Sequence, residues 1–166
     1  ASGPTRVGIP IVDHLTGYTA LSGILLALND RHRTGLGQRV EATLFDTALS
    51  LLVPHAANWM YSDQVPGLLG SAHPNISPYD KFQCQDGQVF LGILNDRQFA
   101  RFCAAVGLQG LVDDPRFATN AVRLQHRDEL RKEIEQALAQ RERESLCRDL
   151  MRSGVPVGPV NTVPEA

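Results

Sequence analysis

Asp13 is the residue of this chain best placed to do chemistry. It stands in VGIPIVDHLTGYTALSGILLALNDRHRTGLGQRVE (residues 7–41), just ahead of a long apolar stretch with helical character. Pro10 and the β-branched pair Ile11-Val12 favour extended backbone, which would make Asp13 the N-cap of that helix. Capping is one reading of the carboxylate. Nucleophilic catalysis is the other, because N–H groups at a helix start attract negative charge and would stabilise an oxyanion formed beside it. Gly17, one turn on, leaves room for a substrate to approach the backbone. Spacing alone does not choose between the two.

The other groups able to bind or react are dispersed. His14, His32, His55, His73 and His126 do not sit at metal-ligand spacing, so no metal site is expected. Cys84, Cys103 and Cys147 are odd in number and contain no CxxC pair. They read as reduced thiols in a cytoplasmic protein, not as a disulfide framework. With 16 Lys+Arg against 18 Asp+Glu, the chain lacks the basic excess of a nucleic-acid binder. The apolar run Leu21–Leu28 is short of a membrane span, so no membrane partner is expected. The opening ASGPTRVG has no signal-peptide pattern and reads as a chain entered mid-sequence.

The elements that must position these residues follow from periodicity. Tyr18–Leu28 is apolar or small nearly throughout, which predicts a helix buried on most of its surface. Arg31, His32 and Arg33 suit its C-terminal dipole, Gly35 and Gly37 stop it, and Gln38–Thr43 reads as a short strand. A second helix is expected over Leu44–Met60, broken or kinked at Pro54, with His55, Trp59 and Tyr61 as a packing cluster. Residues 62–78, rich in Pro and Gly, form a linker loop. Tyr79–Gln83 and Gln88–Ile93 predict a β-hairpin turning at Asp86-Gly87.

Asn95 or Asp96 then caps a helix to about Val106, with Phe99, Phe102, Cys103 and Val106 on one face and Gly107 as its stop. A short helical turn is expected at Asp114–Phe117. A longer helix begins between Asn120 and Asp128 and ends near Gln140, with Leu130, Ile134, Ala137 and Leu138 inward and an Arg131/Glu135 pair outside. The last helix, Ser145–Ser153, turns Leu146, Leu150 and Met151 inward, and Val155–Val160 forms an edge strand. The fold class is α/β and helix-rich: a helix–strand–helix front segment, then a small α/β domain with a short hairpin sheet.

Five stretches carry a resemblance: VGIPIVDHLTGYTALSGILLAL, RTGLGQRVEATLFDTALSLL, HPNISPYDKF, DDPRFATNAVR and GVPVGPVNT, in that order. Together they resemble the class III CoA-transferases, a family that includes formyl-CoA transferase, carnitine CoA-transferase and the 2-methylacyl-CoA racemases. The resemblance implies that residues 1–61 are the C-terminal portion of the large CoA-binding domain, 62–78 a linker, and 79–166 a small α/β domain. It also implies that the family's upstream Rossmann-like half, which carries most CoA contacts, lies outside this chain.

What the resemblance implies for chemistry centres on Asp13, which matches the family's catalytic aspartate. In the transferases that carboxylate attacks an acyl-CoA thioester, giving an acyl-aspartyl anhydride and CoA thiolate. A second carboxylic acid then replaces the first acyl group. Leu44 falls where the family places an apolar side chain against the adenine of CoA, and an ordinary core role is its alternative. His73 and Asn75, in SAHPNISPY, stand where formyl-CoA transferase carries a mobile glycine run. Prolines here argue against a flexible lid, and both residues either face the acyl group or build turns.

No permanently bound cofactor is implied. Coenzyme A thioester is the substrate, carboxylic acids are the co-substrates, and the expected assembly is a homodimer. Two alternatives stand beside a transferase. One is a 2-methylacyl-CoA racemase-type enzyme, and the other is a truncated, non-catalytic dimerisation fragment.

Overall fold

The computed structural model describes residues 6–166. Its elements in chain order are α1 (Ile11–Thr34), α2 (Leu44–Ser50), α3 (His55–Ser62), β1 (Tyr79–Cys84), β2 (Gly87–Gly92), α4 (Asp96–Val106), α5 (Asn120–Gln125), α6 (Arg127–Leu138), α7 (Arg143–Arg152) and β3 (Val157–Pro159). Short 3-10 turns occur at Gln109–Leu111 and Val163–Glu165. The protein is mixed α/β and helix-rich, as its sequence predicts. It forms two compact units, one ending at Leu68 and the other spanning Leu69–Ala166.

In the first unit α1 starts earlier than expected. Pro10 is its N-cap, and the helical ladder begins with His14 N donating to Pro10 O at 3.2 Å. Ile11 and Val12 are therefore helical, and Asp13 lies in the first turn instead of capping it. Proline's fixed φ suits a helix start, and first-turn N–H groups need no helical acceptor, so β-branched residues are tolerated there. The exit is as predicted: Gly35, at φ 71°, donates its N–H to Arg31 O at 2.8 Å.

The predicted burial of α1 is not met, since none of its residues is buried and Leu26 is 70% exposed. Its apolar side chains run all round the cylinder, while the rest of the unit offers only short segments to cover them. By length and composition alone, with a mean hydropathy of 1.4 over its most apolar window, α1 would also pass as a membrane span. Leu21–Leu28 by itself did not suggest this.

Gln38–Thr43 pairs with no other strand among the described residues, so the expected strand lacks a ladder. Val40 instead closes on α1, where a Cβ added at Gly23 would lie 2.6 Å from Val40 Cγ1. Thr43 caps α2, its Oγ1 accepting from Asp46 N at 3.1 Å. The break at Pro54 is as read, separating α2 from α3. The aromatic cluster does not pack within this unit: Trp59 is exposed and Tyr61 is 96% exposed.

The second unit has a core of its own. β1 and β2 form the predicted hairpin, but Cys84 pairs with Gly87, so Gln85 and Asp86 make the turn. Gly87, at φ 157°, sits just after it. The sheet order is β1-β2-β3, all antiparallel, with β3 at an edge as expected. Val89 and Leu91 of β2 are fully enclosed, together with Phe82, Phe99, Phe102, Ile134, Leu146 and Leu150.

Asn95 Oδ1 accepts from Gln98 N at 2.9 Å at the start of α4, whose four predicted apolar residues are all buried. The longer helix of the sequence reading is α6, which begins at Arg127, within the expected range, and His126 separates it from the short α5. Asp114–Phe117 closes as a turn, not a helix, through Phe117 N on Asp114 O at 2.8 Å. In α7 the buried face is Leu146, Cys147 and Leu150, which leaves Met151 59% exposed, contrary to the reading. Met151 follows Cys147 by one turn on the same side, but in the last turn of α7, past the core that Cys147 reaches.

Candidate functional site

Asp13 lies in the first turn of α1 and is exposed. The ladder begins at His14, so the N–H groups of Val12 and Asp13 lie ahead of it, where a helix presents unpaired donors. Thr16 and Thr19, on the following turn, donate their hydroxyls back to Val12 O and Leu15 O at 2.7 and 2.9 Å. Gly17 has nothing within 4 Å of an added Cβ, so space is open on that side of the helix. The chemistry such a place supports is attack by an accessible carboxylate on an electrophilic carbon.

Leu44 is the first residue of α2 and is exposed, so a ligand can reach it. Arg31 lines an open groove with Ile24, Ala27, Leu28, Gly37, Gln38 and Val40. Arg33 is engaged by Asp30, with Nη2 to Oδ1 at 2.9 Å.

His73 and Asn75 belong to the second unit and to one tight turn. Asn75 N donates to His73 Nδ1 at 3.1 Å, and His73 N donates to Tyr79 O at 2.9 Å. The His73 ring stacks on Tyr79, with centroids 5.0 Å apart. Both residues build the turn, and Asn75 is also exposed while His73 is half-buried.

Sequence reasoning missed the residues that hold this turn. Arg123 is 1% exposed and donates from Nε to Ser77 O, from Nη1 to Phe117 O and from Nη2 to Asp96 Oδ1, at 2.8, 2.8 and 2.6 Å. Its guanidinium also lies over the Phe99 ring, 4.3 Å from the centroid. Asn120 donates from Nδ2 to Asn75 O at 2.8 Å and accepts at Oδ1 from Ser77 N at 3.0 Å. Arg127 Nη2 donates to His73 O at 2.7 Å. Asp80, buried on β1, takes Arg131, Ser71 Oγ and Lys81 N. The available signal was the pair of polar-rich stretches HPNISPYDKF and DDPRFATNAVR, which meet here.

Charge elsewhere is spent on structure. A hydrogen bond from Arg116 holds the Asp114 carboxyl below its ordinary range. His126 and Arg116 do the same for Glu129, and these two carboxylates raise Arg116 in turn. Burial pushes the Cys84 and Cys103 thiols up to about 11, and Cys147 up as well. All three cysteines are buried and unpaired. Among the described residues, no cluster of His, Cys, Asp or Glu could hold a metal ion.

Comparison with known proteins gives the family of the chain. A family model described as CoA-transferase family III matches residues 1–166. The chain is similar to a succinate–glutarate CoA-transferase of Agrobacterium fabrum, 35% identical over 162 residues, which are 98% of this chain and 40% of that protein. It is also similar to an acyl-CoA transferase of Fusarium pseudograminearum, 41% identical over 160 residues, covering 96% of this chain and 35% of that one. Among solved structures it is similar to a CaiB/BaiF family protein from Brucella suis: 36% identity, TM-score 0.73, 99% of this chain and 43% of the other. Rv3272 from M. tuberculosis matches at 25% identity and TM-score 0.81, over 98% of this chain and 41% of that one. The chain thus spans between 35% and 43% of the length of these proteins. With the match running from the Asp13 segment through the turn at His73 to the last strand, the chain belongs to CoA-transferase family III.

Proposed function

We propose that this chain carries the nucleophile of an acyl-CoA:carboxylate CoA-transferase and that Asp13 is that nucleophile. The observation that carries the reading is an exposed carboxylate in the first turn of α1, within a chain matched throughout by the family. A carboxylate oxygen of Asp13 attacks the thioester carbonyl carbon. The C–S bond breaks, and its electron pair leaves on the CoA thiolate. First-turn N–H groups of α1 stabilise the carbonyl oxygen as it gains negative charge. The product is an acyl-aspartyl anhydride, reactive towards thiolate and carboxylate alike, so one difficult exchange becomes several easier ones. A second carboxylic acid replaces the first acyl group, and the thiolate returns to release the new thioester and regenerate Asp13.

In this reading Leu44 lies against the adenine end of CoA, and His73 and Asn75 face the acyl group. CoA enters as a thioester substrate, and no bound cofactor takes part. The name of the Agrobacterium relative carries two dicarboxylic acids, and we extend that substrate class to this chain. In this reading residues 1–61 belong to the CoA-binding domain, 62–78 are the link, folded into the second unit from Leu69 onward, and 79–166 are the small domain. Three unpaired thiols support a cytoplasmic setting.

A second reading is favoured by the exposure of Asp13. In this chain alone, water would hydrolyse an anhydride before an acid could intercept it. We therefore propose that the chain by itself does not turn over, and that catalysis belongs to a protein in which Asp13 is covered. Incubating that protein with acyl-CoA and hydroxylamine should convert Asp13 to a hydroxamate, read by peptide mass. Asp13→Asn should abolish both the adduct and exchange. Exchange without an Asp13 adduct overturns the covalent mechanism. Racemisation at the carbon next to the thioester would instead favour the racemase branch.

A further inference from the structure

Residues 73–77 are held by their peptide groups at every second position. His73 O receives Arg127 Nη2 and Asn75 O receives Asn120 Nδ2. Ser77 is held at both ends, its N–H donating to Asn120 Oδ1 and its carbonyl receiving Arg123 Nε. The His73 and Asn75 N–H groups are taken up by Tyr79 O and His73 Nδ1. Pro74, between them, has no N–H to satisfy. Side chains from α5 and α6 thus do what a neighbouring strand would do for an extended segment.

Such a grip resists movement. Arg123 is enclosed, and its other donors are fixed on Phe117 O and Asp96. Displacing the turn would leave a buried guanidinium N–H and the Ser77 peptide unpaired together, which is the costly way to break buried hydrogen bonds. The grip from α5 and α6 also acts on backbone alone. That grip does not pass through the side chains at 73 and 75, although within the turn His73 Nδ1 also accepts from Asn75 N.

We infer that Asn120, Arg123 and Arg127 are positioning residues that lock residues 73–77 in one conformation, making His73 and Asn75 a fixed selector of the carboxylic acid substrate instead of a closing lid. This rests on the assignment of His73 and Asn75 to the acyl side made above. A selector presented on rigid backbone discriminates by geometry. Loosening the backbone should therefore blur the choice of acid without removing the nucleophile.

Two measurements test this. Hydrogen exchange by NMR on this chain should find the Ser77 amide as protected as the buried amides of β2. Asn120→Ala should lower that protection at least tenfold, and Asn120→Asp, which keeps an acceptor for Ser77 N, should restore most of it. In the exchange-competent protein, Asn120→Ala and Arg123→Lys should change the ratio of kcat/KM between a dicarboxylic and a monocarboxylic acid of equal length by tenfold or more. Asp13 should still be acylated by acyl-CoA, since the nucleophile itself is untouched. An unprotected Ser77 amide in the native chain, or an unchanged ratio in Asn120→Ala, overturns the proposal. Replacing His73 and Asn75 by Ala without effect on the ratio, with Asp13 still acylated, overturns the assignment of those two residues. Loss of Asp13 acylation in the unaltered protein overturns the transferase reading itself.

Discussion

Arg123 and Asp96 form an ion pair of unequal halves: the guanidinium side chain is 1% exposed, the carboxylate 59%, and Nη2 lies 2.6 Å from Oδ1. The carboxylate keeps most of its hydration, while the cation depends on the fold for its partners. Arg123→Ala should destabilise the protein by about 3–5 kcal/mol, because it leaves Ser77 O and Phe117 O unpaired beside a cavity. Asp96→Asn keeps an oxygen for Nη2 but leaves the enclosed guanidinium without its counter-charge, and should cost about 1–3 kcal/mol. Urea unfolding monitored at the second unit checks both. Equal losses would show that the pair, and not the enclosed cation, carries the stabilisation.

Acid should find one carboxylate late. Thr162 N and Oγ1 donate to Glu165 Oε2 at 2.8 Å each, and Arg143 Nη2 reaches Oε1 at 3.2 Å. Chiefly the Thr162 bonds hold the Glu165 carboxyl down to about 2. In the unfolded chain a glutamate titrates near about 4.3. The folded value is the lower one, so this contribution is whole above about pH 4.3 and is lost as pH falls towards about 2. A carboxyl-carbon NMR titration should place the Glu165 midpoint near the lower value, and Glu165→Gln should flatten the acid limb of stability. A midpoint near 4 would mean that the Thr162 turn is open in solution.

The thiols behave in the opposite sense. Burial raises Cys84 and Cys103 to about 11, so the fold favours the neutral form. Stability from these sites is whole below the unfolded value of about 8.5 and shrinks as pH rises through about 11. Native protein at pH 7.5 should react with a thiol reagent only as fast as it opens, and denatured protein should give three modified cysteines at once. Rapid native labelling of Cys103 would contradict its complete enclosure.

Exposed apolar area in the first unit should drive association. Leu25, Leu26, Phe45, Val53 and Met60 are all large, apolar and exposed. Patches of this kind on soluble proteins are covered by partners. Light scattering should find a dimer or larger assembly, and Leu26→Glu should weaken it at least tenfold. The protein should also stay in the aqueous fraction after detergent phase separation, despite the length and apolarity of α1. A sharp monomer at high concentration would overturn the expectation.

Where local chemistry decides structure, the sequence was legible. Asn95, Gly107 and the stripe Phe99-Phe102-Cys103-Val106 fix α4 by capping and period, and Arg131–Glu135 pair at 2.8 Å as i,i+4 spacing requires. Asp13 was legible as the residue of interest, but its place in the helix was misread because Pro10, not Asp13, begins α1. The exposure of α1 was not legible, since an apolar surface does not say what covers it. Arg123 was least legible of all. Burial of a cation depends on its acceptors, and Ser77 lies 46 residues away in the chain.

The small sheet is blunted against strand addition at both rims. On the outer side of β1, Tyr79 O receives His73 N and Lys81 O receives Arg131 Nη1, while Gln85 N, just past the strand, reaches Arg141 O. At the other rim, β3 ends in Pro159 and is preceded by Pro156, neither of which has an N–H to offer. An incoming chain would find several of the backbone donors and acceptors of these rims already occupied or missing. Recruitment of further copies through this sheet, whether as an ordered interface or as the seed of a fibril, is thereby disfavoured.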